Sequence, residues 1–252
     1  MSIRVPILTY HSIDKTGSII STSPDKFRSQ MQHLRNKRFN IISLNDIVTH
    51  IREDSTLPSR SVAITFDDGF KNFYAVAYPI LKEYGFSATI FLVPGYCGKN
   101  NQWDGQPNEI PILDLLDWNE IGEMANNGIE FGAHTMHHSD LSKLSIDQAH
   151  QEIVDSKLVI QRHIEKDVFF FAYPYGIMTE KIRRIAIKQY FGACSTQLGL
   201  VSQQSDIYCL PRIDMYYFSK NHFFKQLGTS NFSIYINIRN LFRSFKNKRV
   251  SL

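Results

Sequence analysis

Two acidic residues stand side by side at the end of an apolar, β-branched run, in the order Thr65-Phe66-Asp67-Asp68-Gly69. Burying adjacent carboxylates costs free energy unless a cation or a metal compensates their charge. At the end of a strand, one of the two can bind a metal while the other acts as a base. The alternative interpretation is a helix N-cap followed by a turn glycine, because aspartate favours both positions. The pair alone does not decide between these interpretations.

Three histidines fall within five residues further along the chain, in His134-Thr135-Met136-His137-His138. His134 and His138 are four residues apart, a spacing that lets two imidazoles face one ion from a helical turn or a compact loop. A solvated polar loop would explain a single histidine better than it explains this cluster. Two histidines and one carboxylate form an open site for zinc or another divalent metal. The spacing also allows His137 to replace either histidine ligand.

These two motifs, together with the later stretch Phe171-Ala172-Tyr173-Pro174-Tyr175-Gly176, resemble the successive motifs of the polysaccharide deacetylase family (the NodB-homology group, carbohydrate esterase family four). Their order and spacing match, and the resemblance covers roughly Val5 to Asp214. It implies an α/β fold, a distorted (β/α) barrel of about seven strands. It also implies metal-dependent hydrolysis of N-acetyl groups on the amino sugars of a polysaccharide or lipid-linked glycan.

The resemblance implies a role for each matching residue. Asp68, His134 and His138 would hold one divalent metal ion, for which we expect Zn²⁺ ahead of Co²⁺ or Ni²⁺. Asp67 would be the general base, and the backbone N–H of Tyr175 would help to hold the oxyanion. A bound divalent ion lowers the pKa of water and polarises a carbonyl. A donor aimed at the developing oxyanion contributes typically a few kcal/mol.

The chain departs from the family pattern at two places. Ala172 stands where the family often has an arginine that orients the catalytic aspartate. Arg212, in the stretch Leu210-Pro211-Arg212-Ile213, is the candidate replacement, because it follows a predicted strand and a loop. The usual leucine and histidine near the C-terminus are also missing, and His222 matches them poorly. The general acid must therefore come from elsewhere.

Tyr10-His11-Ser12 follows the first predicted strand and resembles the N-terminal histidine of the exopolysaccharide branch, typified by poly-N-acetylglucosamine deacetylases. We therefore predict that His11 protonates the leaving amine, a task that suits an unperturbed pKa near 6.5. A buried structural histidine is the alternative. Aromatic rings suit the apolar faces of sugars, so Trp103 and Tyr175 are candidate platforms, whereas Trp118 lies in a helical pattern typical of core.

Short apolar runs alternate with helical patterns, which predicts βα units and a parallel sheet or barrel. Polar motifs come directly after strand patterns, where the active sites of parallel α/β folds form. We predict strands at 4–10, 61–66, 87–93, 128–133, 168–173 and 192–196, and helices at 24–37, 72–84, 114–127, 145–165 and 179–190. The segment 98–111 is typical of a long loop, which in a compact domain is often functional.

The charge of the chain is uneven. We predict a catalytic domain over residues 1–228 and a basic amphipathic tail over 229–252, which has five Lys and Arg residues and no Asp or Glu. A short helix would place Ile238, Leu241, Phe242 and Phe245 on one face. It would pack on the barrel or, alternatively, contact an anionic membrane surface. The excess of basic over acidic residues is confined to one end of the chain, so we expect no nucleic-acid partner.

The chain has 252 residues, 43% of them hydrophobic and 21% charged, as is ordinary for a soluble globular protein. Its three scattered cysteines argue against a thiolate metal site. We find no signal peptide and no run of about 18 apolar residues, so we expect a cytoplasmic protein. A second expectation is that the tail associates with a membrane. The alternative is a secreted protein that has already been trimmed. The competing functions are hydrolysis of another small amide or imide and a decayed carbohydrate-binding homologue.

Overall fold

The computed structural model describes residues 4–218, 221–236 and 238–240. Within these residues, strands and helices alternate along most of the chain, as the apolar runs predict. The strands are β1 (Ile7–Tyr10), β2 (Asn40–Ile41), β3 (Ser61–Phe66), β4 (Thr89–Leu92), β5 (Glu130–Ala133), β6 (Phe170–Ala172), β7 (Gly192–Leu198) and β8 (Leu210–Asp214). The α-helices are α1 (Pro24–Asn36), α2 (Leu44–Glu53), α3 (Tyr78–Tyr84), α4 (Trp118–Asn126), α5 (Ile146–Ile164), α6 (Glu180–Gln189) and α7 (Asn221–Phe224).

Seven of these strands close into a barrel. β1 pairs with β3 on one side and with β8 on the other, and β3 to β8 pair in sequence order. β2 pairs with the first two residues of β3, outside the ring. Because all these pairings are parallel, the carboxyl ends of the seven strands lie together at one end of the barrel, which we call the C-terminal rim. The predicted distorted barrel of about seven strands is confirmed.

The helices cover the outside of the barrel, which explains why β3 is apolar without alternation. All six residues of Ser61–Phe66 are buried, as expected for a parallel strand that is covered on both faces. On α1, the predicted apolar face of Phe27, Met31 and Leu34 is fully buried. The main core therefore lies between the strands and the helices that connect them.

Three of these helices begin at a residue whose side chain caps the first turn. The Ser23 hydroxyl accepts the Lys26 N–H at the start of α1, and Pro24 is the first helical residue. Ser145 and Gln148 exchange hydrogen bonds in a capping box that begins α5. Thr179 accepts a backbone N–H at the start of α6. These local signals make the start of each helix predictable from the sequence.

The helix predicted at 72–84 is interrupted. Residues Phe73–Ala77 form a single wide π-helical turn, and regular α-helix begins only at Tyr78. Pro79 lacks an N–H group and cannot donate to the preceding turn, which is a physical reason for the shift in hydrogen bonding. Three elements are not predicted from the sequence, namely β2, α2 and β8. The two strands are short, whereas α2 carries a detectable signal: a Ser43–Asp46 capping box and a buried apolar face.

The chain beyond residue 228 contributes to the same core as the barrel helices. Phe232 and Ile236 are buried, and Phe232 packs edge-on against Phe218. Ile238 is half exposed, and the predicted tail residues Leu241, Phe242 and Phe245 lie outside the described residues. In the described part of the chain, we find no helix with the length and apolar character needed to span a bilayer.

Candidate active site

The polar residues singled out in the sequence converge at the C-terminal rim. They come from five different strands or from the loops that follow them, so the closure of the barrel brings together side chains that are far apart in the chain. They are His11 after β1, Asp67 and Asp68 after β3, His134 and His138 after β5, Tyr175 after β6, and Arg212 within β8. Sites of parallel barrels form at this end because the strand-end loops converge there.

Asp68, His134 and His138 form a compact group of potential metal ligands. The Asp68 Oδ1 atom lies 3.6 Å from His134 Nε2 and 3.4 Å from His138 Nε2. One ligand atom from each residue falls within a 4.8 Å cluster, and all three residues are buried. Asp68 Oδ1 is itself buried without a hydrogen-bond partner among the described residues. A buried anionic oxygen facing two imidazole nitrogens fits a divalent cation.

His134 is oriented by the backbone. Its Nδ1 lies 2.7 Å from the Ala172 carbonyl oxygen, so Nδ1 carries the proton and donates to that oxygen. The lone pair of Nε2 then faces Asp68. Burial lowers the pKa of His134 to about 4, which keeps the ring neutral near pH 7. A neutral imidazole with its second nitrogen hydrogen-bonded is the usual form of a histidine that binds a metal.

His138 is held between two aromatic rings. Its ring centroid lies 4.3 Å from that of Trp103 and 4.9 Å from that of Tyr175. The Tyr175 hydroxyl is 3.2 Å from His138 Nδ1, while the Tyr175 side chain is partly exposed at the rim. Trp103, by contrast, is only 4% exposed. The prediction that Trp103 offers a free face to sugars is therefore wrong, because the long loop folds inward and packs the indole against His138.

His137 faces away from this group, which removes the alternative that the spacing left open. Its Nδ1 lies 2.6 Å from Glu152 Oε1, and its side chain is 55% exposed. Thr135 and His138 both have left-handed φ angles, so the chain from 134 to 138 forms neither a helical turn nor a regular strand. The structure thus brings together His134 and His138, with His137 on the outside.

Asp67 is held by a buried arginine from β8, which is separated from β3 by β1 alone. The two terminal nitrogens of the Arg212 guanidinium, Nη1 and Nη2, donate to the two Asp67 carboxylate oxygens, both at 2.7 Å. The third nitrogen, Nε, donates to the Ser195 carbonyl oxygen. Burial alone would raise the pKa of Asp67, but the charge of Arg212 reverses this and lowers it. The contact predicted between Arg212 and Asp67 is present, and the carboxylate is kept charged and in one orientation.

Arg212→Gln is expected to lower the free energy of unfolding by about 3–5 kcal/mol, because it leaves the Asp67 charge buried without its partner. Chemical denaturation of the wild type and the variant measures this. Arg183→Gln is the matched control, since Arg183 makes the same two-pronged contact with Asp206 at the surface. Its loss is expected to cost below about 1 kcal/mol. Equal losses of unfolding free energy in the two variants would contradict the expectation that burial makes the Arg212–Asp67 ion pair more costly to break.

His11 and Asp214 complete the polar surroundings of Asp67. His11 Nε2 lies 4.0 Å from Asp67 Oδ2, and the His11 side chain is 24% exposed, so solvent reaches it. Asp214 ends β8, and burial raises its pKa. Asp214 is not among the residues predicted from the sequence. The signal that could have found it is the placement of a carboxylate at the end of a short apolar strand.

The backbone of the site is strained. Four of its residues other than glycine have left-handed φ angles, namely Asp68 at 73°, Thr135 at 63°, His138 at 59° and Tyr175 at 58°. Such conformations cost about 1–3 kcal/mol each, and they cluster at functional sites. The glycine after Tyr175 is also required, because a Cβ at Gly176 would lie 1.9 Å from Thr196 Oγ1. Tertiary packing therefore maintains this geometry against local preference.

Comparison with known proteins agrees with this site. Residues 54–191 match the family model for polysaccharide deacetylase. A putative polysaccharide deacetylase of Bacillus subtilis is 29% identical over 83% of this chain and 71% of its own length. A poly-beta-1,6-N-acetyl-D-glucosamine N-deacetylase of Staphylococcus aureus is 30% identical over 81% of this chain and 71% of its own length. A Streptococcus pyogenes deacetylase solved in complex with acetate superposes with a TM-score of 0.74 at 27% identity, over 85% of this chain and 93% of that one.

Proposed function

This chain belongs to the polysaccharide deacetylase family, and from that premise we propose that it hydrolyses N-acetyl groups on the amino sugars of a polysaccharide or lipid-linked glycan, releasing acetate. One observation carries the proposal: Asp68 Oδ1, which has no hydrogen-bond partner in the described part of the chain, faces two imidazole nitrogens, beside a second carboxylate held by Arg212. The name of the Staphylococcus aureus relative supports an exopolysaccharide as the substrate class.

The proposed metal ligands are Asp68, His134 and His138. Two neutral imidazoles and one carboxylate suit Zn²⁺, with Co²⁺ and Ni²⁺ as alternatives. When bound, such an ion supplies positive charge that polarises the acetyl carbonyl and lowers the pKa of water.

The chain's own groups would handle the protons. Asp67 would be the general base, since its carboxylate is charged and oriented by Arg212, which we regard as a positioning residue. His11 would be the general acid, since its Nε2 lies beside Asp67 and its side chain is open to solvent. The Tyr175 N–H would donate to the oxyanion, and the left-handed φ of Tyr175 supports a backbone shaped for that task.

Acetate release tests the function. Metal-depleted protein is assayed on β-1,4- and β-1,6-linked N-acetylglucosamine oligomers, simple acetamides and a cyclic imide, with and without added Zn²⁺. We expect one acetate for each amine formed on a glycan, and only with metal present. Turnover of the imide or acetamides alone would contradict the proposal in favour of another amidase. Glycan binding without acetate release would indicate a decayed binding protein.

Tyr175→Phe is expected to weaken metal binding by about 10-fold, because it removes the hydroxyl that contacts His138 Nδ1 and orients the ring. Competition with a chelating dye measures the affinity directly, without relying on activity. Tyr216→Phe is the control, since Tyr216 is a partly exposed tyrosine that follows β8 and packs against Tyr217. Unchanged affinity in Tyr175→Phe would show that packing alone orients His138.

A further inference from the structure

A concave basic surface lies between α5 and α6, on the outside of the barrel. We call it the α5–α6 groove; it has a volume of about 270 Å³ and its lining includes Ile146, His150, Lys181, Arg184, Ile185 and Lys188. No carboxylate is among its lining residues. Its floor includes apolar side chains, with Ile185 buried and Ile146 45% exposed, and its edges are cationic.

The cations of the α5–α6 groove share one face of α6 and are largely unpaired. Lys181, Arg184 and Lys188 follow the i, i+3, i+7 spacing of a single helix face, and span about 10 Å along the axis. Over the described ranges 4–218, 221–236 and 238–240, neither lysine side chain has an ion pair or hydrogen bond. Arg184 lies 3.3 Å from Glu180, but both side chains are more than half exposed, so this contact neutralises little.

The two helices that form the α5–α6 groove follow loops of the candidate active site. α5 starts eight residues after His138, and α6 starts four residues after Gly176. Both helices therefore begin near the C-terminal rim. A polymer with one sugar beside Asp67 and His11 would have to continue over the rim to lie between the two helices.

We propose that the α5–α6 groove binds an anionic stretch of the glycan, so that the substrate is an acidic N-acetylated polymer bearing carboxylate or phosphodiester groups. The proposal rests on the proposed deacetylase function. Sugar rings would pack their C–H faces on Ile146 and Ile185, while their anionic groups pair with Lys181 and Lys188. Deacetylation creates ammonium groups, which the same lysines repel, so the groove favours acetylated substrate over product.

The concave shape of the α5–α6 groove is the reason to favour a polymer over a membrane. A flat anionic lipid surface would meet the exposed edges of the two helices but would not reach Ile185, which is 8% exposed. A flexible glycan chain can enter the groove and contact both its floor and its edges. Binding to a membrane is therefore measured as the alternative outcome.

Binding of two matched polymers tests the proposal. The probes are a poly-N-acetylglucosamine chain and its carboxymethylated form of the same length, titrated against the zinc-loaded full chain. The groove variant is Lys181→Glu/Lys188→Glu. The control is Lys26→Glu/Lys37→Glu, at the two ends of α1, which changes the net charge equally. We expect the groove variant to weaken binding of the carboxymethylated polymer roughly 10-fold at low salt, and less at high salt. Binding of the neutral polymer should change less than about 2-fold, and the control should resemble the wild type.

Three results would overturn the groove assignment. The first is equal binding of both polymers by the wild type, and the second is equal weakening in the groove variant and the control. The third is a groove variant that loses binding to vesicles of phosphatidylglycerol and phosphatidylcholine but still binds the carboxymethylated polymer as the wild type does. Acetate release by the wild type from both polymers is measured in parallel. Its absence would count against the proposed function, whereas the binding data judge the groove independently.

Discussion

His134→Ala is expected to purify without bound divalent metal and to lose roughly 10³-fold or more in kcat on an N-acetylated glycan. The variant removes one of three ligand atoms that lie within 4.8 Å of one another, and among the described residues no third histidine belongs to this group. His137, the nearest in sequence, points to Glu152 and solvent. Metal-ion catalysis contributes several kcal/mol of transition-state stabilisation, which corresponds to this loss in rate. Elemental analysis of dialysed protein measures the metal directly.

His137→Ala is the matched control, because it removes a histidine from the same loop without touching the ligand group. It should retain about one metal per chain and nearly full activity. Since His134→Ala also leaves the Ala172 carbonyl without its donor, Asp68→Asn provides a second variant of nearly unchanged shape. Its metal content should fall as well, and both melting temperatures report whether the fold survives. Equal metal content in wild type and His134→Ala would remove His134 from the site.

His11→Ala is expected to keep its fold and metal but to lose about 10²–10⁴-fold in kcat on an amide substrate, the usual scale of acid–base catalysis. An amine is a poor leaving group unless it is protonated as the C–N bond breaks. Asp67 cannot easily supply that proton, because Arg212 keeps its carboxylate charged. His11 lies 4.0 Å from Asp67 and is partly open to the rim, where the leaving amine would stand.

An acetate ester with a phenolate leaving group separates acid catalysis from positioning. Phenolate departs without protonation, so ester hydrolysis by His11→Ala should fall far less than amide hydrolysis. Equal losses on the two substrates would assign His11 a structural or positioning role. Full amide activity in the variant would exclude His11 from catalysis. His163→Ala, which removes an exposed histidine from the last turn of α5 and outside the α5–α6 groove, should leave both rates within about 2-fold of wild type.

Much of the fold could be predicted because its signals are local. The uninterrupted apolar run of β3, the Ser23-Pro24 start of α1 and the Ser145 cap of α5 are each decided by neighbours within a few residues. Strands and helices that alternate along a chain can bury their apolar faces against one another in a parallel α/β arrangement. β2 could not be predicted, since a two-residue strand has no periodicity to detect, whereas the capping box and apolar face of α2 are signals that the sequence does contain.

The sequence by itself determined which residue types stand at the strand ends, and hence that carboxylates and histidines meet at one rim. Only the tertiary structure decided the partners of those residues. Arg212 reaches Asp67 across 145 positions of the chain, because β8 closes the barrel against β1. The side-chain directions of His137 and Trp103 depend on left-handed backbone angles and on loop packing, which no spacing reveals. Residue identity is a local property, whereas orientation follows from contacts between elements that are distant in sequence.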